Sequence, residues 1–393
     1  MGAAVRTGNA LAWIASGPDR ESVRLPGTRR ACPPAATVAM AERAAAAVGV
    51  TRVADITRLD TIGIPTYQAI RPLSTTLAVS QGKGVTAELA RVSAILEAVE
   101  IWHVEQPLPP RLIAPPREVA DRLEYDVTAL PRSSPSLLHD GLPIAWVGAV
   151  SLADGAETLV PVEVVRLSLE QRTGWQPPAF LASTNGLASG NTTVEAVLHG
   201  LYEVIERDAT TAMVTGAAPG IRVDPATLGS AVADDLCDRI ARAGVVVEVT
   251  LLSSPTGLPC FLAWLACDDY PAAMYGFGCH LDPEIALTRA LTEAAQTRLG
   301  YIAGARDDLR DDIDDDDGAV RRREPAGRPA DLSGLLPPPA GHTGLLDDLA
   351  EVVRRATEAF GHPPLVADLT RPQIGVPVVK VVAPGSRITP EVL

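Results

Sequence analysis

Residues 184–209 read TNGLASGNTTVEAVLHGLYEVIERDA. Up to Asn191 the stretch is rich in the turn formers Gly, Asn and Ser. From Val194 it becomes a run of helix formers, with Thr192 or Thr193 as cap, and the pattern predicts a helix to about Thr211. Positions i, i+4 and i+7 share one helix face, so His199, Glu203 and Glu206 form a polar stripe. Most other positions are Ala, Val, Ile, Leu or Tyr. Such a helix is buried on most sides, and its stripe must face something polar.

The same stripe occurs twice more. Ser93, Glu97 and Glu100 repeat it in a predicted helix over 87–104, capped by Thr86, and Arg289, Glu293 and Gln296 repeat it in one that opens at Asp282-Pro283. A single stripe is equally well explained by an ordinary amphipathic helix with its Glu face in solvent. Three matching stripes in one chain argue for a shared site. Glu97, Glu100, Glu203, Glu206 and Glu293 brought together would repel one another unless cations lay among them. Hard oxygen ligands in that number suit Mg²⁺, and Mg²⁺ commonly brings phosphates. Arg207 and Arg289 are suited to phosphate oxygens. So is Lys83, which stands in a predicted Gly82-Lys83-Gly84 turn with exposed backbone N–H groups. That turn lacks the spacing of a P-loop, and Gly276-Phe277-Gly278 lacks the third glycine of a dinucleotide fingerprint and reads as a strand-end turn.

Working outward, 393 residues with 47% hydrophobic and 21% charged composition describe a globular chain with a real core. The net charge of −14, with no Lys/Arg cluster, excludes a general nucleic-acid surface. Only Lys83 and Lys380 are lysines; the other basic residues are Arg. Five cysteines without a C-x-x-C or a His at zinc spacing argue against a disulfide framework or structural zinc and fit a reducing cytoplasm. The apolar stretch at Ala10–Ala15 is too short for a signal peptide, and no run is long enough to span a bilayer.

Residues 1–36 are Gly/Pro/Arg-rich and read as a loose segment before one domain over 37–393. Predicted helices cover 38–48, 229–243 and 345–360 besides the striped ones, and predicted strands cover 51–56, 61–70, 144–151, 158–161, 245–252, 260–267 and 376–383. The acidic, Arg- and Pro-rich run at 305–343 reads as a mobile insertion. It is not an EF-hand, because Ile313 occupies the first ligand position. Without a strict βαβ rhythm, the expected class is α+β, mixed sheets packed with helices.

Taken together, GKG (82–84) with S-x3-E-x2-E (93–100), TNGLASGNTTVEAVLHGLYEVIERDA (184–209), RALTEAAQTR (289–298) and IGVPVVKVVAPG (374–385) resemble the YcaO family in order and spacing, over residues 60–385. The resemblance implies ATP lying among the three striped helices. By position it implies that Glu97, Glu100, Glu203, Glu206 and Glu293 bind or orient Mg²⁺. Ser93, Asn191, Glu195, Arg207 and Arg289 would contact nucleotide, and Lys83 is the lysine of the GKG motif. Glu203, Glu206, Arg289 and Glu293 would serve catalysis. Three departures bear on the chemistry: Ile101 replaces an Arg, Ala188 replaces a Ser with Ser189 beside it, and a Pro-rich C-terminal tail is missing.

The implied activity is ATP-dependent phosphorylation of a backbone amide in a ribosomally made peptide or protein, giving an azoline, a thioamide or an amidine. Phosphorylation turns a poor leaving oxygen into a good one, with Mg²⁺ and Arg stabilising the transferred group. The resemblance also implies a precursor peptide as substrate, a separate TfuA-like or E1-like leader-binding partner, and a homodimer. The segment IGIPTYQAIRP with VSQGKG inclines the reading to the TfuA-associated, thioamide-forming type. The alternative is a non-enzymatic accessory protein for another modifying enzyme, such as a ribosomal-protein methylthiotransferase, although a scaffold has no need of five crowded carboxylates.

Overall fold

The computed structural model describes residue 14 and residues 22–167, 178–268, 270–305, 328–336 and 342–392. In chain order its strands are β1 (Val23–Leu25), β2 (Thr28–Arg30), β3 (Arg52–Asp55), β4 (Thr66–Ile70), β5 (Val79–Lys83), β6 (Leu112–Ala114), β7 (Ile144–Ser151) and β8 (Glu157–Pro161). They continue with β9 (Leu187–Ser189), β10 (Ile221–Asp224), β11 (Val246–Leu251), β12 (Cys260–Cys267), β13 (Tyr270–Cys279), β14 (Ala330–Asp331), β15 (Leu365–Asp368) and β16 (Val378–Val382). The helices are α1 (Pro34–Val48), α2 (Ala87–Glu105), α3 (Pro116–Val119), α4 (Val162–Val165), α5 (Thr193–Val214), α6 (Ala231–Arg242), α7 (Pro283–Ala303) and α8 (Leu345–Phe360).

The strands form a β1–β2 hairpin, a sheet β3-β4-β5, a sheet β13-β12-β11-β10-β14, and a sheet β6-β7-β15-β16-β9 with β8 beside β7. Every pairing is antiparallel except β10 with β14. Antiparallel sheets packed with helices are the α+β arrangement expected from the sequence.

Each striped helix belongs to the same local unit. A strand ends at Lys83, Ser189 or Cys279, three residues connect, and the helix begins at Ala87, Thr193 or Pro283. The last connecting residue is the N-cap in every case. Thr86 accepts from the Leu89 N–H, Thr192 from the Glu195 N–H and Asp282 from the Glu284 N–H. The first stripe residue then stands six positions after the first helical residue: Ala87 to Ser93, Thr193 to His199, Pro283 to Arg289. The stripes therefore match in register as well as in composition.

Glycines set how closely these helices approach the sheets. A Cβ on Gly82 would lie 1.9 Å from Ala94 N, and on Gly276 it would lie 2.1 Å from Ala294 N. Both glycines lie within strands, β5 and β13. The turn expected at 276–278 thus lies inside β13, and of the turn expected at 82–84 only Gly84 lies past the end of β5; at Gly82 and Gly276 a helix backbone rests directly on the sheet. The helix faces pointing down are Ala-rich. On α7, Ala286, Leu287, Ala290, Leu291, Ala294 and Ala295 pack against Phe261, Ala263, Leu265 and Met274 of β12 and β13. On α8, Leu345, Leu349, Val352, Val353, Ala356 and Phe360 join α5 in the largest core.

The loose segment expected through residue 36 gives way, from Ser22 onward, to structure. The β1–β2 hairpin is tied down by Arg24 to Asp282 at 2.7 Å and by Arg29 to Asp348 at 2.6 Å, and α1 begins at Pro34 with the proline in its first turn. Within the span read as an insertion, Ala330–Asp331 pairs with β10. Residues 306–327 and 337–341 lie outside the described residues. No helix among the described residues is long and apolar enough to cross a membrane.

Candidate active site

The three stripes converge. On α2, Glu100 accepts from the Ser189 N–H at 2.7 Å and the Ser189 Oγ–H at 2.6 Å, which binds α2 to the end of β9. Glu97 lies one turn earlier, half-buried, with Ser93 one turn before that. On α7, Glu293 is paired with Lys83 of β5 and accepts from the Phe277 N–H at 3.4 Å. Arg289 donates from both terminal nitrogens to His199 Nε2 of α5 at 3.3 Å.

The charge balance is unusual. Burial and the charges of Glu97 and Glu203 push Glu100 up to about 8, against the Ser189 hydrogen bonds. Burial and the charge of Glu293 push Glu206 up to about 7, and burial raises Glu203 despite Arg207, Lys380 and Arg289. For Glu293, burial is outweighed by Lys83, Arg207 and Arg289, and its carboxyl falls below the usual range. Burial and the cations Arg289, Arg30 and Lys83 take His199 well below its ordinary value, so it is a neutral acceptor for Arg289. Three of the five carboxylates are thus held towards their protonated forms, and a cation placed among them would favour their ionisation.

Two buried atoms show what would complete it. Glu206 Oε2 and Arg289 Nε are without hydrogen-bond partners among the described residues. An acceptor and a guanidinium donor left open in one acidic cleft fit a divalent cation and a phosphate oxygen respectively. Among the described residues no three acidic, His or Cys side chains converge on one point. The described carboxylates thus form no ready-made cage of three. Each ion would be held by one or two of them, the rest of its shell coming from phosphate and water, as Mg²⁺ prefers.

The remaining candidates lie around this centre. Glu195 is buried at the start of α5. It accepts from Arg30 at 3.2 Å, the Ala31 N–H at 2.8 Å and Asn191 Nδ2 at 3.0 and 3.1 Å. Its oxygens are filled by the protein's own donors, so it orients Arg30 and Asn191 towards the cleft. Asn191 Oδ1 in turn accepts from Thr37 Oγ1 at 2.8 Å. Arg207 lies 5.7 Å from the Phe277 ring centroid and donates to the Val392 carbonyl at 3.2 Å. Its charge is reinforced by Glu206, Glu293 and Glu203 over the cost of burial.

Three residues of the site were not read from the sequence. Arg30 fell in the segment expected to be loose. Ser189 was noted only as the neighbour of a substituted position, yet it holds Glu100. Lys380 is 2% exposed in the otherwise all-valine strand β16, pushed down to about 8 by burial against the pull of Glu203. A lysine inside a strand of valines was the available signal, since buried lysines are rare without a partner.

Residues 81–387 match the family described as YcaO cyclodehydratase, ATP- and Mg²⁺-binding. An uncharacterised protein of Mycobacterium tuberculosis is 38% identical over 363 residues, covering 91% of this chain and 82% of its own. A protein in a tfuA 3′ region of Rhizobium leguminosarum bv. trifolii is 39% identical over 295 residues, covering 71% and 69%. The YcaO of Methanopyrus kandleri, solved with AMPPCP and Mg²⁺, is 26% identical with a TM-score of 0.74, covering 93% of this chain and 95% of its own. A heterocyclase solved with substrate and cofactor is 25% identical with a TM-score of 0.72. That match covers 94% of this chain, which spans 55% of the heterocyclase.

Proposed function

The chain belongs to the YcaO family, and from that premise we propose that it phosphorylates a backbone amide of a ribosomally made peptide or protein, leading to a thioamide or an azoline. ATP and Mg²⁺ are its cofactors, and ATP-dependent modification of a peptide backbone is the activity class. The observation that carries the reading is the meeting of three carboxylate stripes with Lys83, Arg207 and Arg289 in one cleft.

When bound, Mg-ATP supplies the phosphoryl group that makes the amide oxygen a leaving group. The carboxylates of α2, α5 and α7 would hold the metal. Arg289, oriented by neutral His199, and Lys83, oriented by Glu293, are placed to take phosphate oxygens. Arg207 lies over the Phe277 ring, and its charge is reinforced by Glu206, Glu293 and Glu203. Fixed cations of this kind stabilise charge developing on the transferred group.

Within the class we favour thioamide formation with a TfuA-like partner. The 39% identical Rhizobium protein from a tfuA 3′ region supports that choice. An accessory role would keep the fold without turnover. Calorimetry of ATP with and without Mg²⁺, beside Glu203→Gln, tests the site: binding should need Mg²⁺ and be lost in the variant. Mass spectrometry of a peptide encoded beside the gene and co-expressed with the chain and its neighbours then separates oxygen-to-sulfur exchange from loss of water. Nucleotide binding without any mass change in the peptide would support the accessory reading instead.

A further inference from the structure

A cavity of about 40 Å³ lies where β16 meets the turn that leads into β9, and it shares Lys380 with the site described above. Its wall includes Ser183, Asn185, Val204, Lys380, Ser386 and Ile388. Val204 is the α5 neighbour of Glu203, so the cavity and the carboxylate cluster share one helix turn. At roughly 10–15 Å³ for each water centre, it has room for about three waters, the space of one peptide group.

The polar atoms in the wall are complementary to such a group. Lys380 Nζ has three N–H bonds and gives one to the Ser183 carbonyl at 2.6 Å. Asn185 Oδ1 is a buried acceptor without a hydrogen-bond partner among the described residues. Ser386 is turned away, donating its hydroxyl to the Ala383 carbonyl at 2.7 Å. A phosphate would gain from the ammonium but meet Asn185 Oδ1 and compete with Glu203, whose charge acts on Lys380. A neutral group with one acceptor and one donor meets neither conflict.

We propose that Lys380 and Asn185 hold a backbone amide of the peptide substrate, with Lys380 Nζ donating to its carbonyl oxygen and Asn185 Oδ1 accepting its N–H. The proposal rests on the reading of the substrate as a peptide. It gives Lys380, whose charge also balances Glu203, a use for its remaining N–H bonds, and it sets the bound amide beside the helix turn that carries Glu203.

The sequence supplies a clean probe, because Lys83 and Lys380 are its only lysines. Full-length protein labelled with ¹³Cε-lysine gives two side-chain signals, one in each site, assigned with Lys380→Arg. Titration with N-methylacetamide, the simplest trans peptide group, should shift the Lys380 signal saturably and leave Lys83 unmoved. Methyl acetate has the carbonyl without the N–H and should bind about fivefold more weakly or worse. Asn185→Leu should weaken N-methylacetamide by a similar factor while Mg-AMPPCP still shifts Lys83. An unmoved Lys380 signal, equal response to methyl acetate, or a saturable shift by inorganic phosphate instead would each overturn the proposal. Mg-AMPPCP that leaves Lys83 unmoved would count against the nucleotide site, and the Lys380 result would stand on its own.

Discussion

Binding of Mg-nucleotide should expel protons from this protein. With Glu100 pushed up to about 8 and Glu206 to about 7, a pH 7 solution leaves about 0.9 of a proton on the first and about half on the second. A divalent cation beside them takes both well below 7, so about 1.4 protons leave per site, and Glu203, also raised, adds to that number. Calorimetric titration with Mg-AMPPCP at pH 7, in buffers of different ionisation enthalpy, reads the number directly as the slope of observed enthalpy against buffer enthalpy. The slope should lie between about 1 and 2 at pH 7 and fall towards zero at about pH 9, where the carboxylates are already ionised. Glu100→Gln should lower it by about 0.9 at pH 7. Intact binding with a slope of zero, or with proton uptake, would refute the charge assignment. The stability of the free protein has a fixed sign as well. Because these folded pKa values are raised above the ordinary glutamate value of 4.5, the folded state binds more protons than the unfolded one. Stability is then full below about pH 4.5 for these groups and is lost as pH rises through 7 and 8. Melting temperature should fall across that window and recover on adding Mg-AMPPCP.

Lys83→Met removes a part-exposed ion pair, so stability should change by no more than about 1 kcal/mol, while Mg-ATP affinity measured by calorimetry should drop about tenfold or more. Gly276→Ala drives a Cβ to within 2.1 Å of Ala294 N and 2.3 Å of Ala290 O and should cost about 3 kcal/mol or more in denaturant unfolding. Gly334→Ala meets nothing within 4 Å and should stay within about 0.5 kcal/mol of the parent. Asp208→Asn weakens an acceptor, 1% exposed, that takes the Arg387 N–H at 2.7 Å and its guanidinium at 2.8 and 3.0 Å. It should cost about 1–3 kcal/mol and expose the segment after Ala383 to limited proteolysis.

The helices were legible because each carries two signals that agree, a cap and a period. The observed bounds of α2, α5 and α7 lie within about three residues of those read from Thr86, Thr192 and Asp282-Pro283. The strands beneath them were harder. Gly-x-Gly at 82–84 and 276–278 has the composition of a turn, and the short strand Leu187–Ser189 lies inside a stretch full of turn formers. What those glycines serve is the backbone of another element, Ala90 to Ala94 above Gly82 and Ala290 to Ala294 above Gly276. A close approach leaves no trace in the glycine's own neighbours in sequence. The site divides along the same line. The five carboxylates could be gathered from the sequence because the stripe repeats. Lys83, Arg207 and Arg289 were read as phosphate-binding cations, but not which carboxylate each one meets: Lys83 pairs with Glu293, 210 positions away, and Lys380, near Glu203, was not read at all.

That division has a physical basis in the repeated unit. A strand, three connecting residues, a capped helix and a stripe beginning six positions in are all local, so a pattern within some twenty residues fixes where each carboxylate stands on its own helix. How near the three helices come to one another depends on the glycines that let α2 and α7 rest directly on β5 and β13. An alanine at Gly82 or Gly276 would lift its helix, and with it Glu97 and Glu100 or Arg289 and Glu293, out of the common cleft. Stability and metal affinity are therefore expected to fall together at these two glycines, whereas at Lys83 affinity alone should fall. The small residues that make the fold compact are also what turn three ordinary amphipathic stripes into one charged site.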